Sequence, residues 1–586
     1  MFLYGGTAGN FLAAHCMKIK FFFGILAAVL VGIFFYTQKD AQKEGTVLFF
    51  NTIRAVERDS SVTGKQKELL ELCKVWGVLK YHSADSDFIR SSDASLLKDF
   101  DRLVTGKADL NALISQRLQL HDDHPNSDHS PYAGFFPDKE WIESSGTLSR
   151  ENKKKLINFI TASYRTSGER LVTTENNGEL SFEDDALFYG ESETTPAKRF
   201  LSLCKLWNTV RYYYPYFQAL SDTWNDVFFE MLPLFINAET PQKYYAAVQI
   251  FGSRLKDSHV AVKMGDSDEY DGKNVGNVVL KTVEGRTFVK ETIVGSIRSS
   301  LQKGDEIVRI DGKNIFSLQD SLKEKNSGSN ETVLSRDVNR LLFLSKKKTL
   351  QLEIVRNGKM ITVQEHLTDV LNARKAEEKE YKNKAGKAVS KMLDKNIGYI
   401  RINDIFSGNF RISFEKIKQS KAIIFDLRAY PNEIAVDFLK YFDTRPFQIM
   451  NLYRADVTYP GMMRTIQNEI NIPDPRKDAY KGPVVILTNE YTQSQGESML
   501  LAMKSIKNSI TLGDYTAGTN GNVMIITLPG KIKIRMSGIG VLLPDFTAVQ
   551  RTGIRPDVIV RENSASLSRG EDIQLKEAIN YINQKL

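Results

Sequence analysis

Apolar runs of strand length recur through the C-terminal third of the chain and restrict its fold more than any other feature. Ile397–Ile405 (IGYIRINDI), Lys421–Tyr430 (KAIIFDLRAY) and Gly482–Tyr491 (GPVVILTNEY) alternate with helix-like segments such as Ile434–Phe442 and Gly496–Lys504. Strands this apolar must be covered on both faces, as parallel strands flanked by helices are. An α/β core over residues 371–586 is expected, and polar residues just past its strand ends stand where sites form.

The preceding stretch reads differently. From about Asn274 to Glu365, short alternating runs separated by glycine turns indicate a small β-rich domain, bounded at 266–370. It includes Gly304–Ile315 (GDEIVRIDGKNI) and Thr349–Val363, a hairpin turning at Asn357-Gly358. This pair resembles a PDZ domain, with Ser335–Leu344 as its ridge helix and a groove that takes an extended peptide as an added strand. The Lys- and Glu-rich stretch Ala373–Lys391 reads as a solvated helix or linker.

Further upstream, Lys67–Leu79 (KELLELCKVWGVL) is nearly repeated by Lys198–Val210 (KRFLSLCKLWNTV), with Cys73 matching Cys204 and Trp76 matching Trp207. The spacing predicts two related helices with an apolar face of Leu, Cys and Trp positions. They fall in a mainly helical region, 46–190, and a second helical unit, 191–265. The aromatic stretch Trp207–Phe217 reads as packing rather than a ligand platform. Between the repeats, His121, His124 and His129 lie among aspartates in a proline-broken polar loop and read as solvated rather than metal-binding. Residues 1–45 hold Lys18 and Lys20 ahead of the unbroken apolar run Phe21–Tyr36, a signal peptide or a short membrane anchor. Export to the periplasm or cell envelope follows as an expectation, with the residues before Met17 an upstream extension.

Composition excludes several classes. With 586 residues, 42% hydrophobic and 26% charged, the chain is multidomain and globular. Its net charge of +8 is spread along the sequence, so nucleic-acid binding is not expected. Three cysteines, Cys16, Cys73 and Cys204, make neither a disulfide framework nor a zinc site.

Thr488–Glu497 (TNEYTQSQGE) runs from a strand end into a helix, where a serine hydroxyl is presented beside free backbone N–H groups. Ser494 is the candidate nucleophile, although a serine at a helix start is more commonly a cap. The helical front, the PDZ-like module, IGYI, the Asp426-Leu427-Arg428 strand, the serine turn and a closing Gly553–Asp557 (GIRPD) follow one another in the order of the S41 peptidases. The sequence resembles that family, which comprises C-terminal processing and tricorn-core serine proteases. The resemblance implies a multidomain α/β protein with a ClpP/crotonase-like protease core, acting on protein or peptide substrates without metal or organic cofactor.

The resemblance also assigns residues. Ser494 falls on the first serine of the processing-peptidase pattern and Glu497 on its glutamate, whereas Thr519 stands where that branch carries its lysine base. The tricorn branch uses a serine–histidine pair before the PDZ domain, matched here by Ser258 and His259 in Leu255–His259. His259 is then the general base. Gln550 lies near the expected glutamate and cannot stabilise an imidazolium by charge; Ser258, a water, Glu497 or Asp545 are left to tune the base. The oxyanion hole implied is the Gln495 N–H with that of Tyr430, because Pro431 has none to give. A second class of function fits the same residues: an inactive S41-like peptide-binding protein, favoured by Gln550 and Pro431 but not by the ordered motif set.

Overall fold

The computed structural model describes residues 48–50, 62–83, 85–119, 138–163, 171–175, 178–182, 190–191, 193–220, 223–265, 272–295, 297–384, 387–393, 396–405, 409–431, 436–466 and 470–585. The apolar run Phe21–Tyr36 and the three loop histidines lie outside these residues. Among the described residues no helix is long and apolar enough to cross a membrane, and no cluster of His, Cys, Asp or Glu could hold a metal ion.

Both repeated segments are helices, Gly64–His82 and Pro196–Tyr213. Thr63 starts the first with a reciprocal capping box to Gln66, and Thr195 with Pro196 starts the second. They differ from the expected one-sided helices, being buried on nearly every side from Leu69 to His82 and from Arg199 to Tyr213. The reason is that their lysines are paired internally. Asp93, on the neighbouring helix Ser86–Val104, binds Lys80 Nζ at 2.5 Å and Lys205 Nζ at 3.2 Å. Buried ammonium groups are tolerated only when paired in this way. The aromatic stretch is core, as expected: Trp207 stacks on Trp224, and the Tyr212 hydroxyl reaches the buried Asp138 carboxylate.

The main sheet of the β-rich region is antiparallel and six-stranded, in the order Lys359–His366, Thr349–Arg356, Glu306–Ile310, Arg286–Thr292, Val278–Val283, with Lys313–Asn314 paired to Glu306–Ile310 off this path. Asn357 and Gly358, at φ 51° and 75°, make the tight turn of the outer hairpin. A helix packs beside the edge strand Val278–Val283, and it covers Glu331–Leu341 rather than Ser335–Leu344. It starts earlier because the Asn330 side chain caps it, accepting from Val333 N at 3.1 Å; Leu344–Ser345 instead pairs with Asn274–Val275.

The C-terminal core is a six-stranded sheet ordered Lys391–Leu393, Ile397–Arg401, Ala422–Asp426, Val484–Thr488, Ser509–Gly513, Val558–Ile559, parallel except at its first pair. One face packs Ile397, Ile424 and Val485 against Ala578 and Ile582 of the helix Ile573–Lys585; the other packs Ile400, Ile423, Phe425 and Ile486 against Leu500 and Met503. The expected helix Ile434–Phe442 is a 3-10 helix over Val436–Tyr441 among the described residues. A small antiparallel sheet, Val523–Leu528, Ile532–Ser537, Ala261–Met264, ties the end of the second helical unit to the core.

Candidate active site

Ser494 follows the central strand Val484–Thr488 and precedes the helix Gln495–Met503. The turn between them is sharp: Thr492 N donates to Asn489 O, Thr492 Oγ1 to Leu427 O, and Gly496 N to Gln493 O. Ser494 itself adopts φ 54°, ψ −115°, a backbone conformation rarely held by a side-chain-bearing residue. It does not cap the helix, and among the described residues its hydroxyl has no hydrogen-bond partner. A serine held at a backbone cost with its hydroxyl uncommitted departs from the capping role that the position alone would suggest.

Glu497 explains how the turn is held. Its carboxylate is fully buried and accepts from Thr516 Oγ1 at 2.5 Å, Gly518 N at 2.8 Å and Thr519 N at 3.1 Å. Burial nevertheless pushes its pKa up to about 7. Thr519, at the position of the processing-peptidase lysine, is buried; its carbonyl accepts from Ser494 N at 2.9 Å. No lysine base is present at that position.

His259 follows the helix Pro241–Ser253 after a turn in which Lys256 takes φ 50°. The ring is buried, and its Nδ1 lies 2.9 Å from Ser537 Oγ. Register accounts for this neighbour. Arg535 pairs with Ala261 and Ile534 with Val262 in the antiparallel ladder, so continuing the ladder two residues sets Ser537 opposite His259. Asp257, fully buried, accepts from His259 N at 2.9 Å, Ser537 N at 2.9 Å and Ser537 Oγ at 3.1 Å. Burial lowers the His259 pKa, opposed by Asp257 and reinforced by Arg535.

The serine and histidine segments are knitted together without a direct bond between the two side chains. Gln493 Nε2 reaches Ser258 O at 3.5 Å. Ser258 Oγ pairs with Ser329 Oγ at 2.9 Å, and Ser329 Oγ pairs with Thr519 Oγ1, whose carbonyl holds Ser494. The Ser258 hydroxyl is therefore committed to Ser329. Among the described residues, no hydrogen bond joins Ser494 Oγ to His259, and none reaches His259 Nε2.

The remaining predicted residues divide. The N–H groups of Gln495 and Tyr430 have no acceptor among the described residues, and Tyr430 is 55% exposed. Pro431 packs beside the start of the serine helix, its Cδ 3.5 Å from where a Cβ on Gly496 would sit. Gln550 is buried with both amide atoms unpaired among the described residues and makes no hydrogen bond to His259. Sequence reasoning missed Ser537 and Asp257 as neighbours of the imidazole. Asp257 stands two residues before His259, but nothing in that spacing shows its carboxylate accepting from His259 N and from the Ser537 hydroxyl that meets the ring.

The β-rich domain reaches the same turn. Arg336, on the helix Glu331–Leu341, donates to Gln493 Oε1 at 2.8 Å and to Glu490 O at 2.5 Å. Lys281 Nζ lies 2.5 Å from Glu490 Oε1, and with Lys290 it holds the Glu490 pKa down at about 2.

Residues 396–560 match the model of peptidase family S41. Among solved structures, mature CPAF complexed with lactacystin is 14% identical with a TM-score of 0.51, covering 67% of this chain and 99% of that one. Mature CPAF alone is 13% identical with a TM-score of 0.50, covering 67% and 98%. These likenesses concern the fold. No curated protein matches the sequence.

Proposed function

We propose, on the premise that residues 396–560 make this chain a member of peptidase family S41, that it is an exported serine peptidase cleaving proteins or peptides through an acyl-enzyme on Ser494. The observation that carries the reading is Ser494 itself, strained at φ 54° at the head of a helix with its hydroxyl uncommitted.

In this reading Ser494 Oγ attacks the scissile carbonyl while His259 Nε2 takes its proton and passes it to the leaving amine. Water then repeats the sequence on the acyl-enzyme. The side chains must close by rotation or on substrate binding, as catalytic contacts often do. The Gln495 N–H at the helix start and the Tyr430 N–H are the donors proposed for the developing oxyanion.

The six-stranded sheet with the helix Glu331–Leu341 supports a PDZ-like assignment for 266–370. Its edge strand Val278–Val283 and that helix line a cavity of about 320 Å³, of a form suited to an added peptide strand. Arg336 and Lys281 would couple an occupied groove to the serine turn.

The test is cleavage of an unstructured protein by the full chain, wild type against Ser494→Ala and His259→Ala. Loss in both variants is expected. Equal cleavage by Ser494→Ala overturns the reading, and a wild type that binds peptide without labelling by a serine-directed probe would favour the binding protein instead.

A further inference from the structure

We propose that Asp257, acting through the Ser537 hydroxyl, is the carboxylate that orients and charge-stabilises His259, so that the base needs no glutamate at position 550. This rests on the reading of Ser494 and His259 as nucleophile and base.

The hydrogen-bond directions follow from counting donors. Asp257 receives three: His259 N and Ser537 Oγ on Oδ1, and Ser537 N on Oδ2. In each of these contacts the carboxylate accepts and its partner donates. A hydroxyl has one hydrogen, and the charged oxygen is the stronger acceptor for it. Ser537 Oγ therefore offers a lone pair to the imidazole 2.9 Å away. Nδ1 must then carry the ring hydrogen, which leaves Nε2 unprotonated in the neutral ring, as a general base requires.

The arrangement extends the usual histidine–carboxylate contact by one hydroxyl. When Nε2 takes the Ser494 proton, the imidazolium donates from Nδ1 to Ser537, and Ser537 donates to Asp257. The proton leaves from Nε2 to the departing amine, and neither Ser537 nor Asp257 loses or gains one. Asp257 and Ser537 are fully buried, so the charge acts through little solvent. Asp257 is fixed in turn, its backbone N–H donating to Ser327 Oγ at 2.9 Å.

The wider surroundings leave Asp257 as the carboxylate acting on the ring. Among the described residues, the charged and titratable groups facing it are Asp257, on its own turn, and Arg535, on the strand Ile532–Ser537, whose Nε donates to His259 O. Tyr214 and Tyr216 lie beyond Asp257 and are held neutral by burial. Gln550, buried with its amide unpaired among the described residues, supplies neither charge nor a hydrogen bond to the ring.

The experiment compares full-chain wild type with Asp257→Asn, Ser537→Ala and Ser537→Thr, alongside Ser494→Ala and His259→Ala. Asp257→Asn should lower kcat on the order of 10²–10⁴-fold with little change in KM, the scale of losing a triad carboxylate. It should also move the acid limb of kcat/KM to lower pH, because the charge raising the His259 pKa is gone. Ser537→Ala should lose activity and Ser537→Thr, which keeps the hydroxyl, should recover it. If Asp257→Asn does not fold, the Ser537 pair decides.

Nitrogen NMR of the labelled His259 ring in the wild type gives a readout independent of turnover. An unprotonated Nε2 is expected, and a protonated Nε2 overturns the proposal. Asp257→Asn and Ser537→Ala at wild-type rate and pH profile, with Ser494→Ala and His259→Ala inactive, would also overturn it while sparing the peptidase reading. Undiminished cleavage by Ser494→Ala would instead sink that reading.

Discussion

Gly77 and Asn208 meet where the two related helices cross: a Cβ on residue 77 would lie 2.1 Å from Asn208 Oδ1. Asn208 uses the closeness, its Nδ2 donating to Cys73 O and Cys204 O at 3.0 Å each. Replacing Gly77 by Ala would ordinarily strengthen a helix by about 1 kcal/mol. Here the methyl must displace a fully buried amide and break its two bonds, so a net loss of about 1–3 kcal/mol is expected. Thermal unfolding of Gly77→Ala, Asn208→Ala and the double variant checks it. The double variant should be less damaged than the sum of the singles, because the clash disappears with the amide.

Gln550 should be dispensable. Its two side-chain polar atoms are buried without partners among the described residues, and an unpaired buried amide costs about 1–3 kcal/mol. Gln550→Met keeps the length and removes both polar atoms. A higher melting temperature with unchanged cleavage is expected; a fall in kcat would show that the amide takes part in the reaction.

Glu497 predicts a pH dependence of stability. Its folded-state pKa is raised to about 7 from 4.5, so between those values the folded protein holds a proton that the unfolded chain has released. That stabilising contribution is complete below pH 4.5 and is lost as pH rises through 7, at about 1.4 kcal/mol per pH unit across the window. Glu497→Gln cannot titrate. The stability of wild type relative to this variant should therefore fall over the window and flatten above it, as denaturant unfolding at several pH values would reveal.

The features that could be read in advance were those set by local pattern. The helices Gly64–His82 and Pro196–Tyr213 announce themselves by apolar spacing, although their all-round burial does not, because Asp93 reaches Lys80 and Lys205 from another element. The turn at Ser494 follows from a strand running into a helix within a few residues. The imidazole's surroundings depend instead on the antiparallel register between Ala261–Met264 and Ile532–Ser537, segments far apart in the chain. Ser537 opposes His259 only once that register is known. In the same way, Ser258 stands beside His259 in sequence while its hydroxyl turns to Ser329.

Arg336 should set the rate rather than the fold. It sits on the helix beside the proposed peptide groove, and its guanidinium spans Glu490 O and Gln493 Oε1 on the segment that enters the Ser494 turn. A side pairing with Asp337 at 2.9 Å fixes the plane of the fork. Lysine has the charge but not the planar set of donors needed to hold both contacts at once. Arg336→Lys and Arg336→Ala should both lower kcat, by about 10–100-fold, since small displacements of a nucleophile cost that much. The melting temperature should change little for Arg336→Lys. Wild-type turnover by Arg336→Ala would mean that the serine turn holds its geometry without the β-rich domain, leaving Glu497 and Thr519 as its sufficient supports.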